Sequence, residues 1–193
     1  MIQIFDIPEN FDVSSELRDI LPRLPQWRLS KALSYRHDPD RFLCAKSFLM
    51  LEEMLRTAYG LDHCPEFSFG SHGKPYFQCR PDIFFNISHC RRGIACAVLD
   101  RPVGIDIEEI QYDENLASVI LNPEEIAAVG RAEEPEVIFT GLWTLKESFL
   151  KLTGEGIKDN MKNVLSEADG VSFSTEARRS ASYVYSVAEK PLP

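Results

Sequence analysis

The sequence predicts an α+β fold made of two halves that meet near Val103, residues 1–102 and residues 103–193. Three observations carry that expectation. Stretches with strand and helix patterning run in the order strand, helices, strands, and the order then repeats. Each half contains one long helical pattern, "DPDRFLCAKSFLMLEEMLRTAYG" and "PEVIFTGLWTLKESFLKLTG". The 193 residues suit two small units sharing an interface. No internal repeat or low-complexity linker marks the division.

In the first half, "IQIFD" alternates like a short strand. "SSELRDILPRL" and "QWRLSKALSYR" are amphipathic and separated by the breaks at Pro22 and Pro25. The long helix follows, with Asp38 as its expected cap, Pro39 in its first turn and Gly60 as its stop. Cys44, Phe48, Leu51, Leu55 and Ala58 form its expected core face. "EFSFGSHGKPYF" reads as two short strands around a Gly-Lys-Pro turn. "DIFFNISHC" and "GIACAVLD" read as an antiparallel pair joined through a corner at residues 88–92.

The second half opens on the strand "PVGIDIEEI". Residues 115–130 turn helical, with a new start at Asn122-Pro123-Glu124-Glu125. The second long helix is expected to bury Leu142, Leu145, Phe149 and Leu152. "VLSEADGVSFST" suggests a hairpin around Asp169-Gly170, and "ASYVYSVAE" a last strand.

Composition narrows the function classes. A hydrophobic share of 44% beside 26% charged residues suits a soluble globular protein. A net charge of -9 argues against nucleic-acid or anionic-membrane partners. No stretch approaches the roughly 20 apolar residues of a membrane span. "MIQIFDIPENFD" lacks the basic start and apolar run of a signal peptide. The five cysteines form no CxxC, and their spacing with the four histidines matches no standard zinc pattern. A reducing cytoplasm and a monomer are the expectation.

The chemistry-bearing residues cluster in four motifs. In "GIDIEEI" the strand period puts Asp106 and Glu108 on one face, between isoleucines that enter the core. Two neighbouring carboxylates repel unless a cation or proton separates them. A lone DxE also fits a solvated edge strand, but apolar flanks make bare charge costly. Glu147, on the second long helix, offers a third oxygen for a magnesium ion, which prefers hard ligands and leaves room for water and phosphate. Lys151, one turn on, can meet a phosphate bridged by that ion; taken alone, Glu147 and Lys151 would more often be a surface ion pair. Lys74 sits on a turn restrained by Pro75 and suits a phosphate contact. Ser88 and His89 end an apolar strand, where hydroxyl, imidazole and backbone N–H groups can converge on an anion, or simply form a polar corner. Arg41 lies in the first turn of the first long helix, where an anion would meet both helix terminus and guanidinium, unless Asp38 and Asp40 balance it. No GxxxxGK[ST] loop is present.

In this order, "GKPYF", "FNISH", "GIDIE" and "WTLKESFLKLTGEG" resemble the 4′-phosphopantetheinyl transferase superfamily, particularly its Sfp-like branch, over roughly Gly73 to Gly156. The resemblance implies transfer of the phosphopantetheine arm of coenzyme A to a serine of an apo acyl or peptidyl carrier protein, with release of 3′,5′-ADP. It implies a pseudo-twofold pair of α+β halves with the active site between them. Asp106, Glu108 and Glu147 match the magnesium ligands; Lys74, Ser88, His89 and Lys151 match groups on the coenzyme A phosphates. Arg41 matches a 3′-phosphate contact, with Arg28 a second candidate. Family members run further past "ASYVYSVAE", so a minimal second half or an exposed sheet edge is expected.

Three carboxylates around one divalent ion leave a net charge of -1, so Lys74, Lys151 and a protonated His89 are expected against the diphosphate. Transition-state stabilisation falls to Lys151 beside the ion; the serine's base is Glu147 or a metal-bound water. Carrier docking is expected on an apolar patch at residues 116–121, with Val119 and Ile120 as its test positions. Two other classes fit parts of the pattern, a phosphohydrolase using the same acidic site and a non-catalytic carrier-binding module.

Overall fold

The alternation at the start of the chain becomes strand β1, Ile2–Asp6, in a computed structural model that describes residues 1–156 and 160–191. Asp12 accepts a hydrogen bond from Ser15 N at 2.9 Å and so starts helix α1, Val13–Ile20. After Pro25, helix α2 covers Gln26–Leu33. Helix α3, Asp38–Tyr59, ends on Gly60 in the left-handed conformation at φ 65°. Its start differs from expectation. His37 holds the cap position without a side-chain hydrogen bond, and Asp38 already belongs to the first turn. Cys44, Phe48, Leu51 and Leu55 are buried as expected, whereas Ala58, in the last turn of the helix, is exposed.

Strands β2, Phe67–Phe69, and β3, Pro75–Phe77, form an antiparallel hairpin. Strands β4, Phe84–Cys90, and β5, Gly93–Leu99, form the expected pair, but their corner is only Arg91-Arg92. Ser88 and His89 therefore lie inside the ladder, opposite Ala95 and Ile94. Strand β6, Val103–Glu109, opens the second half. Helices α4, Glu114–Ile120, and α5, Pro123–Arg131, follow, the latter closed by a capping box between Asn122 and Glu125.

Helix α6, Pro135–Thr153, ends on left-handed Gly154. Phe149 and Leu152 are buried, but Leu142 and Leu145 are only half-buried. Thr140, Thr144, Lys146 and Ser148 are buried instead, because α6 is covered by the second sheet and, elsewhere, by α5 and residues Met161–Glu167. The expected hairpin at Asp169-Gly170 is absent. Residues Met161–Glu167 form a 3₁₀ stretch, and the hairpin lies later, between β7, Ser172–Arg178, and β8, Tyr183–Glu189.

Two three-stranded antiparallel sheets result, in the orders β1-β5-β4 and β6-β8-β7. Each places the last strand of its half between the first and the middle one. Each also has its long helix inserted between the first strand and the other two. The sheets meet through a shared core of Ala95, Ala97 and Leu99 with Val103, Ile105, Ile107, Tyr183 and Val187. Two close approaches set this packing. A Cβ on Gly104 would fall 2.0 Å from Ser148 O, so only glycine lets β6 lie this near α6. Across the sheets, Tyr183 donates from its hydroxyl to Asp6 Oδ1 at 2.5 Å.

Candidate active site

Three elements, β4, β6 and α6, bring the polar motifs together where β4 faces β6. On β6, Asp106 is buried and Glu108 half-buried; on α6, Glu147 and Lys151 lie one turn apart. Lys151 Nζ donates to Asp106 Oδ1 at 2.5 Å and to Ser88 Oγ at 2.8 Å. Ser88 in turn donates to the same Asp106 oxygen at 2.8 Å. The helical pair foreseen between Glu147 and Lys151 is thus replaced by an ion pair from helix to sheet. Ser88 serves as a partner of Asp106 rather than as part of an exposed corner.

The carboxylates are short of positive charge. Burial first, then the Asp106 and Glu147 carboxylates, push Glu108 up to about 7. Burial and Asp106 also raise Glu147 above the ordinary carboxylate value. Asp106 Oδ2 and Glu147 Oε1 are buried without a hydrogen-bond partner. Buried acceptors are rarely left so. Among the described residues no three His, Cys, Asp or Glu side chains are arranged to hold a metal ion. Even so, two orphaned carboxylate oxygens of hard character beside a third acidic group are a donor set that fits a small divalent cation.

A cavity of about 950 Å³ opens beside this cluster, between α2, α3 and the β2-β3 hairpin. His89, the neighbour of Ser88, lines it. Burial and the nearby Lys151 ammonium hold the imidazole below its ordinary value, so at neutral pH it is neutral rather than protonated as expected. Trp27, Phe48 and Phe67 also line the cavity.

The cationic contacts are distributed differently from the expectation. Arg41 is not among the residues that line the cavity and is held by Asp38 Oδ1 at 2.9 Å and Tyr35 O at 3.0 Å. Arg28 lines the cavity, donates to Cys44 O at 2.8 Å, lies 5.2 Å over the Phe48 ring and keeps a buried Nε without a partner. Lys31, three residues on in α2, lines it too and was not foreseen. The spacing of Arg28 and Lys31 on one amphipathic helix was the available signal.

Lys74 is a tie between the halves. Its ammonium donates to Leu152 O at 2.9 Å and Val103 O at 3.2 Å, leaving one of three N–H donors for a ligand. Burial lowers it to about 8. Lys146, also unforeseen, is fully buried and donates to Glu125 Oε2, Ile120 O, Met161 O and Lys162 O at 2.7–3.2 Å. The expected docking patch divides: Val119 is 61% exposed, whereas Ile120 is 2% exposed and belongs to the core.

Comparison with known proteins matches residues 102–189 to the 4′-phosphopantetheinyl transferase superfamily. A 4′-phosphopantetheinyl transferase of Bacillus subtilis is 36% identical over 133 residues, covering 66% of this chain and 58% of the relative. The transferase Sfp of Bacillus subtilis strain 168 is 30% identical over 131 residues, again 66% and 58% of the two chains. The transferase HetI of a Nostoc species is 30% identical over 153 residues, 74% of this chain and 65% of the relative. The chain thus spans under two thirds of the length of these curated relatives. With the DxE strand β6 and the helix α6 that carries Glu147 and Lys151 both inside the matched region, the chain belongs to the 4′-phosphopantetheinyl transferase superfamily, on its Sfp-like branch.

Proposed function

We propose that the protein transfers the 4′-phosphopantetheine arm of coenzyme A to a serine of an apo acyl or peptidyl carrier protein and releases 3′,5′-ADP. The observation that carries this reading is the pair of orphaned oxygens, Asp106 Oδ2 and Glu147 Oε1, with the Lys151 ammonium bonded to Asp106, while the next residue after Ser88, His89, lines a cavity that Arg28 and Lys31 also line. We read the halves, residues 1–102 and 103–193, as related by a pseudo-twofold, in keeping with their repeated strand order. The active site then lies along their seam.

In this reading Asp106, Glu108 and Glu147 would hold magnesium, which would supply charge neutralisation on the diphosphate. Lys151, bonded to Asp106 here, would donate to a phosphoryl oxygen and stabilise the charge that builds there. Arg28 and Lys31 hold the terminal phosphate of coenzyme A in the cavity, with neutral His89 donating or accepting a hydrogen bond according to its tautomer. Lys74 offers its remaining N–H to the diphosphate while it ties β6 to α6. The carrier serine loses its proton to Glu147 or to water, its oxygen bonds to the β-phosphorus, and the bond to the ADP oxygen breaks. Five unpaired cysteines support a reducing, cytoplasmic setting.

The test is mass spectrometry of apo carrier proteins after incubation with the protein. The expected result is a gain of one phosphopantetheine, only with coenzyme A and magnesium together. Consumption of a phosphoester without any carrier would assign a hydrolase instead. Binding with the serine left bare would assign a carrier-binding module.

A further inference from the structure

Strand β6 has a ladder partner on one side only. It pairs with β8, with Ile105 opposite Val187 and Asp106 opposite Ser186, and its other edge faces β4 of the first sheet. In an antiparallel strand at a sheet edge, alternate N–H groups point outward and need another acceptor. Here the outward N–H is that of Ile105, and it donates to Asn86 Oδ1 at 2.9 Å in a buried position. A backbone N–H only donates, so this bond fixes which end of the carboxamide faces β6. Two residues on, on the same face of β4, Ser88 donates to Asp106. Asn86 and Ser88 thus grip consecutive residues of β6, one by its backbone and the other by its side chain. Gly104, the residue before Ile105, is pressed against Ser148 of α6. The backbone leading into Asp106 is therefore held from three directions.

We propose that Asn86 is a positioning residue for the acidic site: its carboxamide oxygen holds the Ile105 N–H and so sets the backbone from which Asp106 presents its orphaned oxygen to a divalent cation. This rests on the reading of Asp106 as a metal ligand and adds a residue that does not touch the ion. An Asn86→Leu variant keeps the volume and removes the acceptor. An Asn86→Asp variant returns an acceptor oxygen to the same place.

The probe is Mn2+ alone, its binding followed by the loss of the free-ion electron paramagnetic resonance signal, with magnesium as competitor. Asn86→Leu should weaken Mn2+ binding by about 10–100-fold, the range for groups that orient metal ligands. It should raise the magnesium concentration for half-maximal transfer by a similar factor and leave KM for coenzyme A within about twofold. Asn86→Asp should recover most of the Mn2+ affinity. Wild-type Mn2+ binding in a folded Asn86→Leu protein overturns the proposal. So does a defect confined to KM for coenzyme A, because Asn86 also lines the cavity and would then be a ligand contact.

Should Asn86→Leu fail to fold, hydrogen exchange on the wild-type protein decides. The Ile105 amide should be protected like the β6 amides that bond β8, and fast exchange there overturns the clamp. A wild-type protein that binds Mn2+ but never modifies a carrier overturns the reaction while the Mn2+ comparison still judges Asn86.

Discussion

Lys151 reaches from the last turn of α6 to Asp106 in the middle of β6, 2.5 Å away and 45 residues earlier in the chain. The pair joins the two elements that carry all three acidic groups, and its cation is the one ammonium bonded within the acidic cluster among the described residues. Lys151→Met should therefore leave Asp106, 1% exposed, without its charged partner and with only the Ser88 hydroxyl as donor. Without magnesium the variant should unfold at lower urea than wild type, and magnesium should recover most of the loss. Transfer, read as carrier mass gained per minute, should fall by about 10²–10³-fold, the cost of one preorganised charge at a transition state. Asp106→Ala should abolish transfer with an unchanged far-ultraviolet dichroism spectrum. Near-normal activity would remove it from the ligand set.

Glu108 gives the site a pH dependence. Its pKa rises from 4.5 to about 7 on folding, because burial and two neighbouring carboxylates disfavour its charge. Between those values the native state binds more protons than the unfolded chain. Stability of the metal-free protein should therefore fall as pH rises from about 4.5 to 7. A cation must displace that proton, so magnesium should bind more tightly as pH climbs through 7, with proton release. Urea unfolding at pH 5, 6 and 7, with chelator or with magnesium, checks both signs. Glu108→Gln should flatten the chelator series, and an unchanged slope would assign the dependence to another group.

Lys146 anchors the helices behind the site. It is 0% exposed and its ammonium joins Glu125 to the carbonyls of Ile120, Met161 and Lys162. Lys146→Met fills the same space and strands four acceptors, so unfolding free energy should drop by about 3–5 kcal/mol. Glu125→Gln keeps an acceptor for the ammonium and should cost less. Equal losses in the two variants would mean that the carbonyls contribute nothing.

What the chain revealed before folding follows from how local each feature is. The DxE pair was legible because the strand period alone puts Asp106 and Glu108 on one face. Gly60 and Gly154 marked the ends of α3 and α6 through their own φ preference. The buried role of Lys146 was not legible, since nothing in "TLKES" says that four acceptors from three distant segments surround the amine. Arg28 and Arg41 changed places for a similar reason. Position in a first turn favoured Arg41, but Asp38 pairs with that guanidinium, while the cavity that receives Arg28 is made by α2, α3 and a hairpin far along the chain. The split of the docking patch between Val119 and Ile120 needed the packing of α4 on α6, which no seven-residue helix encodes alone.

That split redirects the test of carrier docking. Ile120→Asp would place a charge in the core formed with Ala117, Leu121 and Phe149 and would unfold the protein whatever its partners. The residues free to meet a partner are Val119, 61% exposed on α4, and Ile126, 45% exposed on the following helix, with half-buried Leu116 beside them. An acidic carrier gains nothing from a chain of net charge -9, so apolar contact has to supply the affinity here. Val119→Asp with Ile126→Asp should leave the melting temperature close to wild type, since neither side chain is in the core. KM for the carrier should rise by about tenfold per apolar anchor lost, about 1.4 kcal/mol each, while KM for coenzyme A stays unchanged because the cavity lies on the other half. Steady-state kinetics with each substrate varied in turn separates these effects. An unaltered KM for the carrier in the folded double variant would move the docking surface off α4 and α5.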